Sequence, residues 1–334
     1  MKILIIKPSS LGDIIHALPF LKAVKDTYPE SQVDWVVSKN LKGLLEGNPL
    51  INELIVFDKD SMKALKNLPK TLIEIRKFKK ILNAKYYEII ADLQGLLRSG
   101  LITHFTPGAL KIGFADGREG STLFYGKKVS TNGAVHAVDK NLAMAKAIGA
   151  SSKKIEFPLF VNSAARDKIT ELLKDSREYV LIAPSARWDS KRWPPEYFAS
   201  LISKINMPVV ITGSASDMSI VQEIKDESPG KIIDLCGKTD LKELVALIDG
   251  ARVIVSNDSG PMHIAAALNK PVIAFFGPTD YEKTGPYGWQ TNKDLNVLRA
   301  SAQCSPCFKK RCKDLVCMKG ITVETAYKAL RRYL

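Results

Sequence analysis

Val253-Ile254-Val255-Ser256-Asn257-Asp258-Ser259-Gly260-Pro261-Met262-His263-Ile264-Ala265-Ala266-Ala267-Leu268 carries the pattern from which the fold class is read. An apolar, β-branched run over Arg252–Ser256 reads as a buried strand, and small and apolar residues over Ser259–Leu268 read as a helix. Between them, Gly260 lets backbone approach a ligand closely, and Pro261 loses no hydrogen bond in a first helical turn. Exposed N–H groups and the positive dipole end at that turn suit a diphosphate. Asp258 and Ser259 are equally residues that cap helices. His263 falls four residues after Ser259, on the same side of the helix.

The same strand–turn–helix pattern repeats along the chain. In the C-terminal half, strands are predicted at Tyr179–Ala183, Pro208–Thr212, Lys231–Leu235 and Pro271–Phe276. Helices fall between them at Pro195–Ile205, Asp217–Lys225 and Leu241–Ile248. In the N-terminal half, strands are predicted at Lys2–Lys7, Gln32–Ser38, Glu53–Phe57 and Tyr87–Leu93, with helices at Asp13–Thr27, Lys39–Gly47, Gly95–Phe105 and Ala134–Ile148. Such alternation predicts parallel sheets with crossover helices. Two series joined near Ala150–Asn162 predict an α/β chain of two Rossmann-like domains facing a cleft, the first over residues 1–155. Ligands of such sheets bind beyond the carboxyl ends of the strands, so the loops after strands carry the chemistry.

The first such loop is Lys7-Pro8-Ser9-Ser10-Leu11-Gly12-Asp13. It lacks both the G-x-G-x-x-G of dinucleotide binding and the G-x-x-x-x-G-K-[ST] of a P-loop, which argues against an NAD enzyme and an NTPase. It offers a carboxylate, Asp13, which is also the acid a helix start attracts for about 0.3–1 kcal/mol. The loop Pro184-Ser185-Ala186-Arg187-Trp188-Asp189-Ser190-Lys191-Arg192-Trp193 brings hydroxyl, cationic and aromatic groups towards the cleft, where Lys191 or Arg187 can meet a diphosphate. Cys236-Gly237-Lys238-Thr239-Asp240 again runs from a strand into a helix, and Gly277-Pro278-Thr279-Asp280 is a turn bordering the same cleft.

The 334 residues carry a formal net charge of +14 with 46% hydrophobic residues, the composition of a soluble protein with a polyanionic partner. No apolar run approaches the roughly 20 residues of a membrane span. Met1–Lys7 is too short for a signal peptide's apolar region, so a cytoplasmic location is expected. From Ser61 to Lys80 there are seven Lys/Arg against one acid, interleaved with Leu65, Leu68, Leu72, Ile73, Ile75 and Phe78. This reads as a basic amphipathic segment broken or kinked at Pro69, suited to an anionic lipid surface, or else as a solvated helix face. Cys304, Cys307, Cys312 and Cys317 lie among Lys309, Lys310, Arg311 and Lys313. A zinc module binding nucleic acid would use such a cluster, but only the first pair has knuckle spacing, and some 300 residues would stay unexplained. A reduced structural loop is the reading for a cytoplasmic chain, with disulfides after purification as the alternative.

Ser9-Ser10-Leu11-Gly12-Asp13, Asp34-Trp35-Val36-Val37, Asp92-Leu93-Gln94-Gly95, Lys191-Arg192-Trp193-Pro194, Asp258–His263 and Phe276–Asp280, in this order, resemble glycosyltransferase family nine, the lipopolysaccharide heptosyltransferases, across the chain. The resemblance implies a GT-B fold, with an acceptor domain, an ADP-sugar domain over residues 156–321, and a last helix over 322–334 returning to the first domain. It implies an inverting, metal-independent transfer of heptose from ADP-heptose to the Kdo of Kdo-lipid A, or to heptosyl-Kdo-lipid A as a second heptosyltransferase. Asp13 would be the catalytic base. Ser185, Lys191, Thr239, Asp258, Ser259, Gly260 and His263 would hold the donor; Ser10, Gly12, Lys63, Lys66 and Gln94 would hold the acceptor. No cofactor, metal or nucleic acid is implied, and contact with the anionic cytoplasmic face of the inner membrane is. A nucleotide-sugar epimerase is the alternative on the same fold.

Overall fold

The computed structural model describes residues 1–58, 68–174, 176, 178–228 and 232–334. The chain divides into two compact units, Met1–Phe160 and Val161–Leu334. The first runs β1 (Lys2–Ile6), α1 (Leu11–Thr27), β2 (Gln32–Ser38), β3 (Glu53–Phe57), α2 (Leu68–Asn83), β4 (Tyr87–Asp92), α3 (Leu97–Phe105), β5 (Gly108–Phe114), β6 (Lys127–Val129) and α4 (Ala137–Ala147). The second opens α5 (Ser163–Leu173), β7 (Val180–Ala183), α6 (Pro195–Ile202), β8 (Val209–Ile211), α7 (Met218–Asp226), β9 (Ile232–Asp234) and α8 (Leu241–Gly250). It continues with β10 (Val253–Asn257), α9 (Gly260–Ala267), β11 (Val272–Phe276), α10 (Tyr281–Thr284), β12 (Leu295–Arg299), α11 (Val316–Lys319) and α12 (Val323–Leu330).

Each unit forms a six-stranded sheet, ordered β3-β2-β1-β4-β5-β6 and β12-β11-β10-β7-β8-β9. All pairings are parallel. Each order reverses at the first strand of its unit, the Rossmann arrangement in which the crevice lies at the reversal. In the first unit that point separates β1 from β4, with Ile6 opposite Asp92. In the second it separates β7 from β10, with Ala183 opposite Ser256. Ile3, Leu4, Ile5 and Ile6, like Val253, Ile254 and Val255, are fully buried, as central parallel strands covered on both faces must be.

Four particulars differ from expectation. β5, β6 and β12 were not predicted. β5 reads Gly108-Ala109-Leu110-Lys111-Ile112-Gly113-Phe114, and its glycines hide the pattern for a packing reason. A Cβ on Gly113 would stand 2.2 Å from the Tyr125 ring, and one on Gly108 2.7 Å from Ile90 Cδ1. Pro69 does not break a helix: α2 begins at Leu68, so the proline sits in the first turn, where it is tolerated. The boundary falls after Phe160 rather than at 155. Finally, the helix expected to return to the first unit packs on α6, β11 and β12 of the second, with Ala326 and Leu330 in that unit's core.

Candidate functional site

In the first unit, loops leaving β1 and β4 emerge side by side. Trp35 Nε1 donates to Lys7 O at 3.2 Å and Ser38 Oγ to Pro8 O at 2.6 Å, so β2 braces the loop after β1. Asp13 stands in the first turn of α1, where its Oδ2 accepts from both the backbone N–H and the Oγ of Ser10, each at 2.8 Å. These two bonds from the residue that caps α1 fix the carboxylate's orientation. Asp13 lines a cavity of about 390 Å³ together with Lys7, Gln94, Asp116, Arg118 and Lys140.

Lys7 is buried and donates to Leu93 O at 2.6 Å. Burial pulls its pKa below the usual lysine value, while attraction to Asp13 and Asp92 opposes the shift. Asp92 is fully buried, and burial pushes its carboxyl upward against hydrogen bonds from Tyr125, Ser99 and the Gly95 and Gln94 amides. Those bonds shape the turn Leu93-Gln94-Gly95, in which Gly95 adopts φ +65°. Gln94 Oε1 then accepts from Ser9 N–H at 3.2 Å, closing the two loops on each other.

In the second unit, Asn257 at the end of β10 donates to Pro184 O at 2.6 Å and accepts from Trp193 N–H at 3.0 Å. Asp258 follows, buried, with Oδ2 accepting from Lys191 Nζ and from Thr279 Oγ1, both at 2.6 Å. The Lys191 side chain is only 17% exposed and its ammonium lies 4.8 Å from the Trp188 ring centroid. Asp258 thus serves as counter-ion, and the cap of α9 is Ser259, whose side chain makes no capping hydrogen bond. Gly260 opens α9, and Pro261 falls within its first two positions. Buried His263 lies one turn further on.

A third segment braces this cluster. Between β12 and α11, Lys309 O accepts from Ser190 Oγ at 2.6 Å, and Lys310 O from Ser190 N–H at 3.3 Å. Ser305 Oγ donates to Gly277 O at 2.5 Å, and Phe308 N–H to Pro278 O at 2.8 Å. The cysteine-bearing loop therefore straps together the turns that carry Lys191 and Thr279, both partners of Asp258. Cys317 packs against Gly277, where a Cβ would stand 2.9 Å from its sulfur. Its thiol pKa is raised by burial first and by Cys304 and Cys307 next. Among the described residues, no group of three or more His, Cys, Asp or Glu side chains is placed to hold a metal ion.

The structure brings Asp13, Ser10 and Gln94 together in one unit, with Gly12 buried in the first turn of α1, and Lys191, Asp258, Ser259 and Gly260 in the other. Ser185 instead donates to Asp217, whose pKa burial raises but whose bonds from Ser185 and Ser214 bring net downward. Thr239 lies on the loop after β9, two strands over from β7, beside the N-cap Asp240. Lys63 and Lys66 lie outside the described residues. Trp193, expected in a ligand-facing loop, is core. It is fully buried, donates to Ile321 O at 2.8 Å and has its ring centroid 4.4 Å from that of Phe275. Lys7, Arg118, Lys140 and Thr279 were not singled out. Lys7 has a signal, since it directly follows β1; Arg118 has none, because it follows β5, whose glycines hide the strand, and Lys140 reads only as one more lysine on the predicted helix that becomes α4.

The model of glycosyltransferase family 9 (heptosyltransferase) matches residues 75–317. The chain belongs to glycosyltransferase family 9. This family 9 chain is 29% identical to a lipopolysaccharide heptosyltransferase 1 of Escherichia coli over 90% of its own length and 92% of the relative's. It is 30% identical to a lipooligosaccharide heptosyltransferase 2 of Haemophilus ducreyi, over 87% of each chain. The E. coli heptosyltransferase WaaC with ADP superposes over the whole of both chains with TM-score 0.82 at 26% identity. The fold of this family 9 enzyme is accordingly the GT-B type, and its class of chemistry is glycosyl transfer rather than epimerisation.

Proposed function

We propose that the chain transfers L-glycero-D-manno-heptose from ADP-heptose, with inversion and without a metal ion, to the Kdo of Kdo-lipid A in lipopolysaccharide core synthesis. One observation carries this reading: Asp13, held by Ser10 in the wall of a cation-lined cavity, is matched in the other unit by the Lys191–Asp258–Thr279 cluster at the start of α9. A carboxylate and a diphosphate site are the two things the reaction needs.

The acceptor hydroxyl is a poor nucleophile, so Asp13 takes its proton as the new C–O bond forms. The bond from the anomeric carbon to the diphosphate breaks through an oxocarbenium-like transition state, and the electron pair leaves with ADP. Lys191 has three protons and spends one on Asp258, which aims the others at the departing phosphate. The first-turn N–H groups of α9 add fixed positive potential there. Ser185, Thr239, Ser259, Gly260 and His263 complete the donor pocket, and Ser10, Gly12, Gln94, Lys63 and Lys66 contact the acceptor. Lys7 and Arg118, which line the cavity with Asp13, supply positive charge for an acidic acceptor sugar.

The similar E. coli heptosyltransferase WaaC binds ADP, which supports the donor, and the relatives include both a heptosyltransferase 1 and a heptosyltransferase 2, which leaves a second reading: addition to heptosyl-Kdo-lipid A. With such an acceptor the enzyme works peripherally on the cytoplasmic face of the inner membrane. The test is ADP release with ADP-heptose, UDP-sugars and GDP-sugars, each offered Kdo-lipid A or its heptosylated product. Turnover only with ADP-heptose and unmodified Kdo-lipid A is expected. Preference for the heptosylated acceptor selects the second reading, and ADP release without any acceptor refutes transfer.

A further inference from the structure

The cavity around Asp13 has an unusual neighbour. Helix α3 turns an apolar stripe outward: Leu97, Leu101 and Phe105 recur at every fourth residue, and all three are exposed. Its inward face is Ser99, Gly100, Ile102 and Thr103, so the usual distribution is reversed. Leu72 and Ile75 of the adjoining α2 are exposed too, and Leu123, in the turn packed on α3, is 82% exposed. That turn is seated closely. Phe124 stands over His104 at 5.6 Å, and a Cβ on Gly100 would meet the Phe124 ring at 2.6 Å. These exposed apolar side chains therefore cluster on three elements packed on one another, an apolar ridge, whereas exposed apolar residues on most surfaces are scattered singly.

The rim is mainly cationic, with one acid, Glu119, accepting from the Leu97 N–H at 3.3 Å. Between Thr71 and Asn83, α2 carries Arg76, Lys77, Lys79 and Lys80 against a single acid, Glu74, which Lys77 engages at 2.8 Å. Lys79 places its ammonium 4.6 Å from the Phe105 ring centroid, and Arg98 projects from the first turn of α3. Apolar side chains bordered along α2 and at Arg98 by lysine and arginine, on a chain of net charge +14, complement an anionic bilayer: hydrocarbon to the exposed apolar residues, head-group charge to the cations. A protein partner would disfavour lysines so near the apolar centre.

Position adds a reason. The turn Leu93-Gln94-Gly95 lines the Asp13 cavity and runs into α3, where the ridge begins at Leu97. Gly117 and Arg118 line the same cavity and lead into the turn bearing Leu123. We propose that the ridge formed by α3, α2 and Leu123 seats this enzyme on an anionic lipid surface, presenting the Asp13 cavity to a sugar acceptor anchored in that surface. The inference rests on the lipid-borne acceptor of the preceding section for its purpose, not for its geometry.

The test is flotation of the full chain with phosphatidylcholine vesicles, with and without about one-third phosphatidylglycerol. The variant Leu101→Ser/Phe105→Ser/Leu123→Ser changes exposed side chains only, and an unchanged thermal midpoint verifies its fold. Binding to the anionic vesicles is expected in the parent. In the variant it falls by about tenfold or more, with turnover on a deacylated, water-soluble acceptor unchanged. Equal flotation of parent and variant overturns the proposal. So does a parent dimer that the variant converts to monomer with vesicle binding intact, because the ridge would then join two copies of the chain. Ridge-dependent flotation with no heptose transfer would keep the docking surface and remove the proposed reaction.

Discussion

Replacing Asp258 with Asn removes a charge while keeping the side chain's shape, and the structure sets what that costs. Asp258 Oδ2 accepts from Lys191 Nζ and Thr279 Oγ1, each at 2.6 Å. The carboxylate is 5% exposed and the lysine side chain 17%. Breaking a buried ion pair by removing one partner costs about 3–5 kcal/mol, and the partial exposure of Lys191 places this pair near the lower bound, about 3 kcal/mol. For a unit of this size each kcal/mol lowers the melting midpoint by about 2–4 °C, so Asp258→Asn should melt about 6–12 °C lower. Lys191→Met should lower it comparably. The double variant should fall short of the sum by a coupling of about 2 kcal/mol, since the second substitution finds the pair already broken. ADP provides the discriminating arm. In Asp258→Asn its diphosphate becomes the counter-ion that Lys191 lacks, so saturating ADP should raise the midpoint more than in the parent. Calorimetry or thermal shift on the four proteins, with and without ADP, gives every term. Coupling below about 0.5 kcal/mol, or equal ADP stabilisation of parent and Asp258→Asn, would show that Lys191 does not divide its protons between Asp258 and the diphosphate.

Three further outcomes are expected. Asp13→Asn keeps an oxygen for Ser10 but cannot take a proton, so turnover should drop by about 10²–10⁴-fold with ADP affinity unchanged; titration calorimetry beside a steady-state assay separates these, and lost ADP affinity would make Asp13 a structural cap. Ser190→Ala releases Lys191's turn from Lys309 and should weaken ADP several-fold for the loss of about 1 kcal/mol; an unchanged dissociation constant would mean the strap does not set Lys191. Burial, then Asp217 and Asp234, pushes the Cys236 thiol up to about 11, so at pH 8 only about one molecule in a thousand carries its thiolate. Iodoacetamide followed by mass spectrometry should therefore mark exposed Cys304 and Cys312 well before Cys236 or buried Cys317; labelling of Cys236 as fast as Cys312 would contradict its burial.

Legibility followed the physics of each element. Strands buried on both faces, such as Ile3–Ile6 and Val253–Val255, announce themselves as unbroken β-branched runs, and their loops could be located from them. β5 and β6 could not, because Gly108 and Gly113 are small to admit Ile90 and Tyr125, and β6 is three residues with two lysines. Arg118 stayed invisible with them. The sequence places Trp193 in a polar loop, where a tryptophan either packs or binds; Asn257 accepts from its backbone N–H at the end of β10, and its indole packs in the core.

Two Rossmann-type units, the loop bearing Asp13 and the glycine-proline start of α9 are dictated locally, by runs, turns and caps a few residues long. The pairing of Asp258 with Lys191 and Thr279, the strap of residues 305–310 and the outward ridge of α3 were decided only by tertiary structure. They join groups up to some 120 residues apart, such as Ser190 and Lys309, and no local pattern encodes which strand end meets which loop. Sheet order decides that, and sheet order is settled by how the strands pack together.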